Sequence, residues 1–243
     1  MSDSVVLSLE NIYETLAISW PTVIDALRGR LTKKMCDDRL EGWSKNIVAN
    51  AKLTVTVEGR EHLDETGADG RHAGTYLVMS NHQSLYDIPV LFYVIGPNIR
   101  MVTKKELFGV PVFGGALSAA GFVKIDRSDR DAAIRSLDDA RSLLSDGTHV
   151  WIAPEGTRSK SGALGPFKKG AFYLAFEAGL PILPVTLQGT RDVLAAKGVV
   201  SHAGARVKVT IHEKIDPRPY TERGKDGREA LMNEVRRAIE SAL

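Results

Sequence analysis

The sequence predicts an α/β fold: a largely parallel mixed sheet flanked by helices, preceded by an amphipathic helical pair. Three observations predict it. From residue 52 onward, short runs rich in β-branched residues alternate with segments whose apolar residues recur every three or four positions. Residues 8 to about 50 carry only the helical period. The length, 243 residues with a 43% apolar share, suits one large domain with a small appendage and a substantial core.

In chain order, Ile12, Leu16, Trp20, Val23, Leu27 and Leu31 mark a first helix, which Pro21 is expected to kink or divide. Leu40, Trp43, Ile47 and Ala51 mark a second. Residues 1–50 are read as a helical unit whose apolar stripe docks on the domain or also on a membrane surface, and residues 51–243 as the α/β domain. Strands are expected at 52–59, 75–80, 99–103, 122–125, 148–153, 182–187 and 206–213. Between them, Ala133, Leu137, Ala140 and Leu144 mark one helix. Phe167, Ala171, Leu174 and Ala178 mark another, stopped by Gly179 and Pro181, and Leu231, Val235, Ala238 and Ala242 mark the last. Strands separated by helices imply a sheet covered on both faces.

Composition narrows the function. A net charge of +2 gives no reason to expect a nucleic-acid partner. The single cysteine, Cys36, excludes an intramolecular disulfide and fits a reducing compartment. The opening residues MSDSVVLSLEN carry acids where a secretory leader would be basic, so secretion is not expected. The longest uncharged stretch, residues 108 to 123, is interrupted by Pro111 and several glycines and is too short to span a bilayer. The histidines lack metal-ligand spacing, and no metal or other cofactor is expected.

Residues 80–90 read SNHQSLYDIPV. On a continuous helix His82 and Asp87 would point about 140° apart, and on a strand they would face opposite sides. They meet only if the chain turns between them. Pro89, which suits the first turn of a helix, implies that turn: a strand ends near Ser80, a loop carries His82, and a helix begins near Asp87. A carboxylate on one ring nitrogen fixes the tautomer and leaves the other nitrogen as a base. On spacing alone a second reading stands beside this one, in which His82 caps the turn and Asp87 caps the helix.

Three further polar stretches follow strands: Lys104 and Lys105 after the third, Asp126 and Arg127 after the fourth, and Glu155, Gly156, Thr157 and Arg158 after the fifth. Ligands of open α/β sheets bind beyond the carboxyl ends of the strands. Mostly basic groups converging there suit an anionic ligand, with phosphate the obvious candidate. Gly156 would allow close backbone approach, and Lys168 and Lys169 add positive charge at a helix start.

These blocks, NHQSLYD, GFVKIDR, PEGTRS and ILPV, together with FKKGAF, resemble in order and approximate separation the blocks of the glycerolipid acyltransferases. The resemblance covers residues 75 to about 190. The Asn-His-Gln start is most similar to the 1-acyl-sn-glycerol-3-phosphate (lysophosphatidic acid) acyltransferases. It implies acyl transfer from a thioester, acyl-coenzyme A or acyl-carrier protein as co-substrate, to a lipid hydroxyl, yielding phosphatidic acid. His82 is then the general base of the H-x4-D motif and Asp87 its orienting partner. Glu155, Gly156, Thr157 and Arg158 match the block associated with the acceptor, and Lys105 and Arg127 match basic positions suited to its phosphate. Ala153 departs from the phenylalanine frequent before P-E-G. The expected partners are lysophosphatidic acid, the acyl thioester, and the cytoplasmic face of a membrane met peripherally through the N-terminal helices. Trp20 and Trp43 would sit at headgroup level, with Arg28, Arg30, Lys33 and Lys34 on anionic lipid. Residues 88–95 and 107–123 would line an acyl tunnel. Backbone amides near Gly156 or at 85–90 would meet the oxyanion, and Ser84 would serve as a turn or cap residue, with no acyl-enzyme. Open alternatives are another acceptor (a different lysophospholipid, glycerol 3-phosphate or a lyso-aminolipid) and a non-catalytic anionic-lipid-binding protein.

Overall fold

The computed structural model of the protein describes residues 3–63, 74–126 and 130–243. Two helices come first, α1 (Asp3–Leu27) and α2 (Lys33–Asn50). Pro21 lies inside α1 without dividing it, contrary to one expectation. Hydroxyls flanking it, Ser19 and Thr22, bond back to carbonyls four residues earlier. The chain continues through β1 (Thr54–Glu58), β2 (Leu77–Ser80), α3 (Asp87–Ile95), β3 (Ile99–Lys104), α4 (Phe113–Ala119), β4 (Val123–Ile125), α5 (Arg130–Ser145) and β5 (His149–Ile152). It closes with α6 (Lys169–Ala178), β6 (Ile182–Gln188), α7 (Thr190–Val193), β7 (Arg206–Ile211), α8 (Arg218–Thr221) and α9 (Gly224–Glu240). Each run expected to be a strand is one. The short helices α4, α7 and α8 were not expected; four to seven residues are too few to display a period.

The strands form one sheet in the order β1-β7-β6-β2-β5-β3-β4. Neighbours are parallel except β6 and β7. The sheet's two faces have different partners. Val78 and Trp151 face one core with Val90, Leu91 and Phe92 of α3 and with Leu7, Leu40 and Ile47 of the N-terminal helices. Leu77 and Met79 face the other, with Phe172 and Leu174 of α6 and Leu231, Val235 and Ile239 of α9. Burial of β2 on both faces explains its uninterrupted apolar run.

β2 lies between β5 and β6. The helix after β2 packs on one face and the helix after β5 on the other, so a crevice opens beyond the carboxyl ends of these neighbouring strands. The N-terminal pair is tied to this frame by buried polar bonds. Arg100 on β3 bonds Asp37 of α2 at 2.7 Å and the Ala120 carbonyl after α4 at 2.6 Å. Within the pair, Arg39 bonds both Asp25 and Thr22.

Gly189 joins β6 to α7 with φ +84°, and a Cβ there would lie 2.0 Å from the Arg206 carbonyl oxygen. Both the left-handed backbone and the close approach demand glycine. Gly189→Ala is expected to cost about 2–4 kcal/mol, read as a lower urea midpoint with an unchanged slope.

Candidate active site

The loop after β2 folds Asp87, the first residue of α3, back over the preceding turn. Its Oδ2 accepts the Gln83 amide at 2.7 Å and the Ser84 amide at 2.9 Å, and lies 2.7 Å from His82 Nδ1. Its Oδ1 accepts the Thr190 hydroxyl at 2.5 Å. The Asp87 side chain is wholly buried. A carboxylate only accepts, so His82 Nδ1 carries the hydrogen and Nε2 of the neutral ring keeps its lone pair. The imidazole is 15% exposed, and Nε2 has no partner among the described residues. Trp151 packs edge-to-face with the imidazole at 5.3 Å between centroids, and the indole N–H is satisfied by Ser80 Oγ at 2.8 Å. This arrangement can take a proton at the unpartnered nitrogen and stabilise the resulting imidazolium.

The backbone carrying His82 is held separately. Its amide donates to Glu155 Oε1 at 2.9 Å and its carbonyl accepts from Ser159 N at 2.7 Å. Glu155 is buried, and its other oxygen accepts the Gly165 amide at 2.7 Å. On the β6 side, Asn81 bonds both the N–H and the carbonyl of Leu187, and Gln83 Nε2 donates to the same carbonyl.

The expected binding residues divide accordingly. Both carboxylate oxygens of Glu155 are turned to backbone amides. Gly156 adopts φ +72°, and Thr157 is exposed. Arg158 is half-buried, has no hydrogen-bond or ion-pair partner among the described residues, and precedes the residue bonded to His82. Lys105 pairs with Asp126 at 2.6 Å at the ends of β3 and β4. Arg127 lies outside the described residues. The Lys168 amide bonds the Pro154 carbonyl at 2.7 Å, which returns that loop to the same rim.

Two expectations are narrowed. Of the amides expected to meet an oxyanion, Gly156 N donates to the Ala153 carbonyl, and those of Tyr86, Asp87 and Ile88 bond within the turn. Trp43 is only partly exposed; its N–H donates to Thr15 Oγ1 at 3.1 Å and its ring packs edge-to-face with Phe92. Ser84 is buried, with its hydroxyl donating to the Leu194 carbonyl at 2.7 Å, so no lone nucleophile faces the crevice there. Thr190 was not foreseen. The Gly-Thr pair directly after the sixth strand was the available signal.

Beside the dyad, between the N-terminal pair and α3 and α4, lies an apolar cavity of about 240 Å³. Ile88 and Phe92 line it from one segment, Leu107, Phe113, Ala116 and Phe122 from another, and Ile18 and Leu40 from the helical pair. Cys36 lines it too, and burial pushes its thiol up, so it behaves there as a small apolar group.

The fold and the His82–Asp87 contact at the end of β2 are those of an α/β protein with a polar site at its sheet rim, and the chain's relatives give the family. The acyltransferase family model matches residues 54–188, and the chain belongs to the acyltransferase family. It is 40% identical over 139 residues to the chloroplastic 1-acyl-sn-glycerol-3-phosphate acyltransferase BAT2 of Brassica napus, covering 56% of this chain and 40% of that one. It is 31% identical over 219 residues to the alpha form of the mouse enzyme of that name, covering 88% and 71%. The crystal structure of the 1-acyl-sn-glycerophosphate (LPA) acyltransferase PlsC from Thermotoga maritima superposes with a TM-score of 0.79 at 26% identity, over 98% of this chain and 94% of that one. The chain spans 40% to 53% of the length of the plant and algal relatives it matches.

Thr190→Val keeps the shape but leaves a buried carboxylate oxygen unsatisfied. It is expected to lower stability by about 1–3 kcal/mol, measured by denaturant titration.

Proposed function

We propose that the protein transfers a fatty acyl group from a soluble acyl thioester to the sn-2 hydroxyl of 1-acyl-sn-glycerol 3-phosphate, giving phosphatidic acid. The observation that carries the reading is the His82–Asp87 contact of 2.7 Å through Nδ1, with Nε2 unpartnered among the described residues. The names of the relatives support the choice of acceptor.

His82 Nε2 takes the proton as the acceptor oxygen attacks the thioester carbonyl. The tetrahedral adduct collapses with cleavage of the C–S bond, and the departing thiolate recovers that proton from Nε2. Direct transfer fits the commitment of the Ser84 hydroxyl to a backbone carbonyl. The reaction in this form calls for no cofactor or metal. Asp87 orients the ring, and Glu155 positions His82 through its amide. Arg158 receives the acceptor's phosphate, with Arg127 and Lys105 contributing positive charge at the rim. Gly156 and Thr157 shape the approach. The donor's chain enters the cavity lined by Phe92 and Phe113.

The protein works from the membrane surface on the cytoplasmic side, a compartment suited to a single unpaired cysteine. Among the described residues no helix is long and apolar enough to cross a membrane. On α1, however, Leu9, Ile12, Tyr13, Leu16 and Trp20 form an exposed apolar stripe at helical spacing. Such a stripe suits burial in the headgroup–acyl boundary. Of the four cations expected to meet lipid, Lys33 and Lys34 are paired with Asp37 and Asp38, which leaves Arg28 and Arg30 for that role.

Thiol release from an acyl thioester, measured with and without 1-acylglycerol 3-phosphate, tests the activity. His82→Ala is expected to reduce acceptor-dependent release by roughly 10²–10⁴-fold; equal rates in the variant would end the proposal. Replacing Leu9, Leu16 and Trp20 together by aspartate is expected to weaken sedimentation with anionic vesicles about tenfold or more, with the circular dichroism spectrum unchanged.

A further inference from the structure

Helix α7 is four residues long, yet it touches both working parts of the rim. Its place is set by the sheet: Gly189 leads into it from the end of β6, at a point where a Cβ would meet the Arg206 carbonyl of β7. From there it holds the dyad's turn twice. At its start the Thr190 hydroxyl donates to Asp87 Oδ1 at 2.5 Å. Just past its end the Leu194 carbonyl accepts from the Ser84 hydroxyl at 2.7 Å. The first contact bears on the base. Asp87 Oδ2 meets three donors, the His82 ring and the amides of Gln83 and Ser84. Among the described residues, Thr190 is the partner of Oδ1. Without that hydroxyl Oδ1 is a buried charged acceptor lacking a donor, and the rotation of the carboxylate that relieves it takes Oδ2 off the imidazole N–H.

The next residue reaches the other part of the site. Arg191 Nη1 donates to the Ser161 carbonyl at 2.7 Å, in the loop that carries Arg158. That loop is already tied to His82, whose carbonyl accepts the Ser159 amide at 2.7 Å. The Ser159 hydroxyl closes the turn beyond, donating to the Ala163 carbonyl at 2.7 Å and accepting the Gly162 amide at 3.0 Å. Gly162 has φ +89°, and a Cβ on it would lie 3.3 Å from Arg191 Nη1, so the guanidinium rests directly on this turn. Arg236 of α9 grips the loop's foot, at the Leu164 and Gly165 carbonyls. Arg191 grips it nearer in sequence to Arg158.

We infer that Thr190 and Arg191 are positioning residues, which together set the distance between the imidazole that takes the proton and the loop whose Arg158 receives the phosphate. This inference rests on the proposed reaction and extends it. In the acceptor, two carbons and an ester oxygen separate the attacking hydroxyl oxygen from phosphorus. So short a tether demands that base and phosphate hold stand at a fixed separation, or one end of the substrate is in place without the other. A single turn fastened to both meets that demand. Thr190 acts through Asp87 on the base, and Arg191 acts through Ser161 on the phosphate hold.

The test uses the full chain in mixed micelles with saturating acyl-coenzyme A and varied 1-acylglycerol 3-phosphate, each variant assayed below the onset of its own unfolding. Thr190→Val is expected to lower kcat by about 10- to 100-fold with the acceptor KM held. Thr190→Ser, which keeps the hydroxyl, is expected to retain most of the activity. Arg191→Met is expected to do the reverse of Thr190→Val, raising the acceptor KM by about three- to tenfold with kcat held. Amide hydrogen exchange over residues 157–163 is expected to quicken in Arg191→Met and to stay as it is in Thr190→Val. Arg191 is exposed, so its replacement tests the inference even where Thr190→Val does not fold. An unchanged kcat in Thr190→Val, or an unmoved KM in Arg191→Met, overturns the inference and leaves the proposed reaction intact. A raised KM with unchanged exchange overturns it too, since Arg191 would then meet the phosphate itself. No acceptor-dependent thiol release from the unsubstituted protein overturns both.

Discussion

A single buried carboxylate organises this molecule's chemistry. Asp87 accepts from a histidine ring, two backbone amides and a threonine hydroxyl, and those donors come from the loop after β2, the turn itself and the start of α7. A buried carboxylate is tolerated only when fully hydrogen-bonded, so the same bonds that make its burial possible also fix the turn. The rest of the rim is arranged around the loop so fixed. Glu155 from beyond β5 holds the His82 amide, and Asn81 and Gln83 grip Leu187 on β6. The three adjacent strands β5, β2 and β6 thereby set the imidazole's position from both sides.

The second organising constraint is apolar. The N-terminal pair does not merely rest on the domain. Leu7, Leu40 and Ile47 enter the same core as Phe92 and Val207, and Arg100 reaches across to Asp37. One side of α1 is thus committed to the fold, and the stripe from Leu9 to Trp20 is left outward. That division allows the pair to wall an apolar cavity and to present an apolar stripe outward at once.

Much of this was legible in the sequence because it depends on local rules. The strands announced themselves by β-branched runs, and the turn between His82 and Asp87 followed from Pro89 and from the impossibility of a meeting on regular structure. What was not legible depends on contacts distant in sequence. Thr190 lies 103 residues from Asp87, and no spacing rule connects them. Glu155 was read as part of the acceptor-binding block; only the fold shows both its oxygens turned to amides. Trp43 carried a helical period that fits burial and exposure equally, and its inward placement was decided by Thr15 and Phe92. The helix α4 was hidden by glycines, one of which, Gly114, is required because a Cβ would lie 2.1 Å from the Phe108 carbonyl.

Val112, just before α4, has φ +64°, a conformation that β-branched residues rarely adopt, and the Phe113 amide closes a tight turn onto the Pro111 carbonyl at 2.7 Å. The ring delivered by this turn, Phe113, lines both apolar spaces beside the helical pair. A residue tolerant of this backbone at position 112 would ease the strain of the turn that sets Phe113, and with it the shape of the wall the two spaces share.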